Sequence, residues 1–146
     1  MSLAGRIAGT LVRDPARASL MLRMAVSYAV VVTAARFMPL DRAFGLLSTS
    51  VGRRLPGQSA ASVVNALDTL LSAGIPFIHP RCWRRAAVLQ RYLRFIGVET
   101  TIVFGVLTEG TALLEAHGWL ERDGAPFAEP GSVAQYRRIH TFNPGT

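Results

Sequence analysis

A cysteine, a histidine and a glutamate in the second half of the chain have the types and order needed for nucleophilic catalysis. Cys82 lies in Arg81-Cys82-Trp83-Arg84-Arg85-Ala86, at the start of a helical pattern. Ala116-His117-Gly118-Trp119 follows in strand-like sequence, and Phe127-Ala128-Glu129 comes after a turn. A lone cysteine opening a helix, with a histidine and a carboxylate downstream on strands, is the layout of a cysteine-nucleophile hydrolase. The thiolate is the attacking species, and a free thiol, with pKa ~8.5, is mostly protonated at neutral pH. A helix N-terminus and a nearby imidazolium both favour the thiolate. In this scheme His117 takes the Cys82 proton and later activates water, while Glu129 orients the ring. The backbone N–H of Cys82 is the natural oxyanion donor.

Whether Glu129 can reach His117 depends on one turn. If Arg122-Asp123-Gly124 is a three-residue loop with Gly124 left-handed, Glu121 pairs with Ala125 and His117 lies opposite Glu129. Facing side chains then have Cβ atoms ~4.5–5.5 Å apart, within hydrogen-bonding reach. If Asp123-Gly124 is a two-residue turn, the register slips by one. Glu129 then faces Gly118, on the sheet face away from His117. A triad built on paired strand positions requires the longer loop.

The elements that must position these residues follow from punctuation and periodicity. Asp14-Pro15 is an N-cap followed by proline at the first helical position, and Pro39 ends the apolar run behind it. The uninterrupted apolar part of that run spans only 24–35, between Arg23 and Arg36. That is short of the ~20 residues a membrane span needs. An export signal is the other reading, but its apolar part would start late and Asp14 would sit in a positive leader. The run therefore reads as a buried or partner-facing helix. Residues 40–47 form a short second helix, and 48–59, with Gly52, Pro56 and Gly57, is a linker and the best internal boundary.

Ser59 or Ser62 caps a third helix through Ala73, closed by Gly74. A fourth runs from Cys82 to Ile96 and stops at Gly97, with Cys82, Ala86, Leu89, Leu93 and Ile96 on one face and Arg84, Arg91 and Arg94 off it. Strands are predicted over 98–107, 113–121 and 125–129, with a fourth within 132–142. Helices first and a small antiparallel sheet afterwards make the fold class α+β.

Composition limits the alternatives. The chain has 146 residues and a net charge of +7, and all of its sixteen basic residues are arginine. Up to Ala60, eight arginines face two acids; from Ala61 on, eight face seven, so the excess is amino-terminal. Nucleic acid, anionic lipid or an acidic peptide would each suit it. No nucleic-acid motif accompanies the charge, so nucleic acid is not expected. Hydrophobic content of 50% and a mean hydropathy of +0.30 suggest an apolar face covered by a partner or a membrane surface. One cysteine excludes an internal disulfide and a multi-cysteine zinc site. A site of His79, Cys82 and His117 lacks ligand-type spacing, so no metal and no cofactor are expected. The plainer roles are inert packing for Cys82, a satisfied core histidine for His117 and a solvated strand end for Glu129. Arg84 and Arg85 are most simply a solvated helix face. His140 has no assigned role, and Asp123 is a turn residue.

The Cys block, Arg81-Cys82-Trp83-Arg84-Arg85-Ala86 through Gly97-Val98, resembles the pattern of the leader peptidases of lasso peptide biosynthesis. These are the transglutaminase-like carboxy-terminal domains of microcin-type B proteins. Phe104-Gly105-Val106, then Ala116-His117-Gly118-Trp119-Leu120-Glu121 and Asp123-Gly124, is similar to the family's His block. The resemblance covers roughly residues 18–142. It implies a papain- or transglutaminase-like core, a Cys-bearing helix packed on the sheet and a Cys-His-Asp triad. Cys82 and His117 match their family positions, while Glu129 stands where the family usually has Asp.

The implied activity is a cytoplasmic cysteine peptidase that removes the leader of a ribosomally made precursor, so that an ATP-dependent macrolactam cyclase can act. Residues 1–58 would be a helical partner-docking region packed on a peptidase core of 59–146. The chain looks like the stand-alone form, served by a separate leader-recognition protein. Trp83, Arg84 and Arg85 are candidates for leader or partner binding, and the amino-terminal helix for peripheral membrane contact. An amide-transferring enzyme and a non-catalytic scaffold are the rival readings.

Overall fold

The computed structural model describes residues 12–48, 57–74, 82–107 and 115–143, together with Gly5, Ala8, Gly9 and Leu55. Within these lie α1 (Pro15–Phe37), α2 (Leu40–Ser48), α3 (Ala60–Ser72) and α4 (Cys82–Phe95). Four strands follow: β1 (Thr101–Leu107), β2 (Ala116–Arg122), β3 (Ala125–Phe127) and β4 (Tyr136–Phe142). The class is α+β, with the helices first and one antiparallel sheet ordered β3-β2-β1-β4 after them.

The helix ends form where the sequence supplies the caps. Asp14 accepts the Arg17 N–H at 3.0 Å, and Pro15 occupies the first turn of α1. Ser59 and Ser62 form a reciprocal capping box at α3. Each such cap contributes about 1 kcal/mol. At the far end of α4, Gly97 is left-handed (φ 83°), its N–H donates to Arg94 O, and the Val98 N–H donates to Leu93 O at 2.9 Å. This 6→1 and 5→2 pair is a Schellman stop. It is why β1 begins at Thr101 and not at 98.

The hub is α4, which packs against α1, α2, α3, β1 and β2. Its buried set, Ala86 to Gln90 with Tyr92 and Leu93, is wider than the single stripe expected from spacing. Helices cover one side and the sheet covers the other. The polar members are satisfied: Tyr92 Oη lies 3.0 Å from Ser27 Oγ of α1, and Gln90 donates to Thr100 O at 2.9 Å. Arg91 closes the end of α2 by donating to Leu47 O at 2.7 Å, where a cation suits the helix dipole. One buried cluster runs from Leu20 in α1 to Leu120 in β2, so residues before and after 58 share a core.

The two faces of the sheet differ. Ile102, Phe104 and Leu120 pack toward the helices, where Phe44 of α2 gathers the rings of Trp83, Phe104 and Phe142 at 5.2–6.0 Å. Alternation puts Val103, His117, Trp119 and Glu121 on the opposite face. Trp119 and Glu121 are buried there as well.

Candidate active site

The site forms where α4 begins and β3 stops. Cys82 is the first residue of α4 and is half-buried. The N-terminal turn lies against β2 because Gly118 has no side chain. A Cβ there would come 3.1 Å from Trp83 Cβ and 3.2 Å from Trp83 Cα. The close approach lets the Gly118 N–H donate to Cys82 Sγ at 3.3 Å.

That N–H is available because of the hairpin. Asp123 (φ 53°) and Gly124 (φ 78°) form a two-residue turn with both centres left-handed, and Arg122 pairs with Ala125. From this hydrogen-bonded pair the groups of Arg122, Leu120 and Gly118 point toward β3 in alternation. The strand ends at Phe127, opposite Leu120, so Gly118 meets sulfur instead of a third ladder partner.

The observed register is therefore the one in which Glu129, on a continuing strand, would face away from His117. The two side chains nevertheless meet. Ala128 takes a left-handed φ of 53°, which ends the strand and redirects the chain. Glu129 Oε1 then lies 3.0 Å from His117 Nε2. The expected requirement for a three-residue loop, and for β3 to extend to 129, is corrected by this break.

The His117–Glu129 pair is sheltered, with side chains 23% and 10% exposed. The imidazole stacks on Trp119 (centroids 5.9 Å apart, 20° between planes), and Tyr136 covers it at 5.1 Å. Trp119 is itself fixed, its Nε1–H donating to Glu121, which also accepts from Arg138. Gly105 makes room for this arrangement, since a Cβ there would sit 2.8 Å from Trp119 Cη2 and 3.0 Å from Tyr136 Cβ. The Tyr136 phenol is held above its ordinary pKa, first by burial, then by Glu115, and also by Cys82 and Glu129. The ring covering His117 thus senses both the thiol and the carboxylate. Cys82 and His117 thus lie at neighbouring positions of β2, the thiol at the Gly118 N–H and the imidazole on the opposite face of the sheet.

In the tautomer that donates through Nε2 to Glu129, Nδ1 is the nitrogen left to accept a proton. Glu129 is placed to hold the ring and to offset a positive charge on it. Among the described residues no group of three or more His, Cys, Asp or Glu side chains is placed to hold a metal ion, and His79 lies outside the described residues.

The other candidate binding residues are engaged structurally. Trp83 packs against Phe44 and beside Gly118. Arg84 lies over the Trp83 ring at 5.2 Å. Arg85 makes a two-point ion pair with Asp68 of α3 at 2.8 and 3.0 Å. His140 lies 3.3 Å from Asp41. Beside Glu129, Phe127 and Ala128 form one wall of a groove of about 740 Å³ against Val64, Asn65, Asp68 and Thr69 of α3.

A family model described as the transglutaminase-like superfamily matches residues 24–141. The chain belongs to the transglutaminase-like superfamily. No curated protein and no solved structure matches it. Transglutaminase-like proteins are commonly cysteine proteases or transferases. The matched span runs from within α1 to the end of β4 and includes Cys82, His117 and Glu129. Composition and motif spacing give Gly118, Tyr136, Glu121 and Arg138 no role in the site. Gly118 carried a usable signal, because glycine within a strand often marks a close backbone approach. Tyr136 carried none, since its partner His117 is brought to it only by the pairing of both β2 and β4 with β1.

Proposed function

We propose that this transglutaminase-like protein is a cysteine peptidase that removes the leader from a ribosomally made lasso precursor peptide. The carrying observation is the hydrogen-bonded His117–Glu129 pair, with the next residue of β2, Gly118, donating its N–H to the Cys82 thiol. The peptidase and precursor assignments draw further support from the resemblance of the Cys and His blocks to lasso leader peptidases.

In this reading Cys82 loses its proton to His117 Nδ1, and the thiolate attacks the carbonyl carbon at the leader–core junction. The backbone N–H of Cys82 stabilises the oxyanion. The C–N bond breaks as His117 returns the proton to the leaving amine, releasing the core peptide. The leader remains as a thioester on Cys82. Water, deprotonated by His117, attacks that carbonyl; the C–S bond breaks, the leader leaves as a carboxylate and the thiol is restored. Glu129 holds the ring and offsets its charge throughout. A separate leader-recognition protein delivers the precursor, and an ATP-dependent macrolactam cyclase takes the core. The open groove beside Glu129 suits an extended peptide, to which it offers both apolar (Val64, Phe127 and Ala128) and polar (Asn65, Asp68 and Thr69) side chains.

The test is incubation of precursor and recognition protein with the wild type, with the alkylated wild type and with Cys82→Ala. Mass spectrometry should find free leader carboxylate and core peptide in the first arm alone. Equal product in all three arms removes Cys82 from the reaction, and a leader amide adduct in place of the carboxylate makes the enzyme a transferase.

A further inference from the structure

We infer that the outer face of α1 is a membrane-contact surface that lays the protein in plane on anionic lipid. This inference does not depend on the peptidase reading.

The helix is apolar all round, a pattern that ordinarily means cover on every side. At about 100° per residue, Leu20, Met24, Tyr28 and Val31 fall on one side, and these are buried in the core. The opposite side carries Leu22, Val26, Val30, Thr33 and Phe37, with Leu22 67%, Val26 57% and Phe37 82% exposed. Half of the helix is therefore covered by this chain's own core, and the other half faces water with side chains of the same kind.

Charge identifies the cover. No acid occurs between Asp14 and Asp41. Arg23 and Arg36 flank the exposed stripe on its two sides, and Arg42 is exposed on α2 just beyond it. Arginines bordering an apolar strip can rest their methylenes on it and place guanidinium groups at headgroup level. A second copy fits poorly, because apposed stripes would bring these arginines together in a chain of net charge +7. A protein partner would usually meet some directional groups, and the stripe offers little beyond the Ser19 and Thr33 hydroxyls. An anionic bilayer supplies both the apolar depth and the negative surface.

Counted over all of Pro15–Phe37, and not only over the uninterrupted run 24–35 that falls short, the helix is long and apolar enough to cross a bilayer by length and composition. Its inner side, however, is committed to the core, where Ser27 is hydrogen-bonded to Tyr92. It lies on the surface and does not traverse it.

The experiment is flotation of the full chain with vesicles of phosphatidylcholine and phosphatidylglycerol in equal parts, and with phosphatidylcholine alone. Wild type should float with the anionic vesicles and more weakly with the neutral ones. Leu22→Glu/Val26→Glu, with an unchanged circular dichroism spectrum, should bind roughly tenfold more weakly or worse. If that variant does not fold, Phe37→Ser replaces it. No flotation, equal flotation on neutral vesicles, or undiminished flotation of the variant overturns the inference. So does a lipid-free dimer by sedimentation velocity that the variant abolishes, since a second copy then covers the face. Lipid-free association of wild type, but not variant, with the leader-recognition protein assigns the face to that partner and also overturns it.

Discussion

The Nε2 atom of His117 lies 3.0 Å from Oε1 of Glu129, although the ladder joining β2 to β3 ends at Phe127. The pair depends on Ala128, whose φ of 53° is costly for a residue with a Cβ. Ala128→Gly should keep full activity and lose no thermal stability. Ala128→Val, β-branched and poorly suited to that conformation, should lower kcat by about tenfold or more as Glu129 leaves the ring. Comparing kcat and melting temperature for the two variants tests this.

Removing the acid function has a different signature. Glu129→Gln should reduce kcat by about 10² or more with little change in KM, because orientation and charge stabilisation are needed at the transition state. Glu129→Asp should fall between, since its carboxylate sits one methylene further from Nε2. Steady-state kinetics on a leader–core junction peptide with the recognition protein present provides the check.

Gly118→Ala should misplace the nucleophile. The new methyl would meet Trp83 backbone and Cβ at 3.1–3.2 Å, so the first turn of α4 must move away from β2. The expected cost is about 1–3 kcal/mol of stability, with a larger proportional loss in the rate of Cys82 alkylation. Thermal unfolding and iodoacetamide kinetics on the same samples separate the two effects.

The Tyr136 phenol should titrate above its ordinary range, followed by absorbance at 295 nm in wild type against Tyr136→Phe. Burial raises it first and Glu115 second, so Glu115→Gln should bring it only part of the way down. The sign follows from linkage. A phenol whose pKa is higher in the folded state contributes stability that is fully present below its unfolded value of ~10. That stability is lost as pH rises from there through the folded value. Between pH 5 and 8 this group should leave stability flat.

A bulky charge in the groove should affect binding and spare the chemistry. Val64→Glu places a carboxylate in the groove that Phe127 and Ala128 also line. KM for the junction peptide should rise several-fold with kcat nearly unchanged, the pattern of lost uniform binding.

Much of this molecule was legible from its punctuation. Asp14-Pro15, Ser59 with Ser62, Gly74 and Gly97 set helix ends because each supplies a cap or a left-handed residue. Cys82 at a helix start was legible from the apolar spacing behind it, and His117 on a strand from the strand-like sequence around it. The route by which His117 meets Glu129 was not. Strand alternation predicts faces, and by faces alone a two-residue turn would have separated Glu129 from His117. A single left-handed alanine overrode that rule, and an alanine carries no sequence signal for positive φ. Arg85 looked like a solvated charge because Asp68 stands seventeen positions earlier, and only the packing of α3 on α4 joins them.

The amide of Gly118 has one further consequence. Its proton rests on the sulfur of Cys82 and not on a carbonyl of the next strand. In a nitrogen-15 correlation spectrum that one resonance would act as a gauge of what the sulfur carries, moving on alkylation, oxidation or acylation while its neighbours in the ladder stay in place.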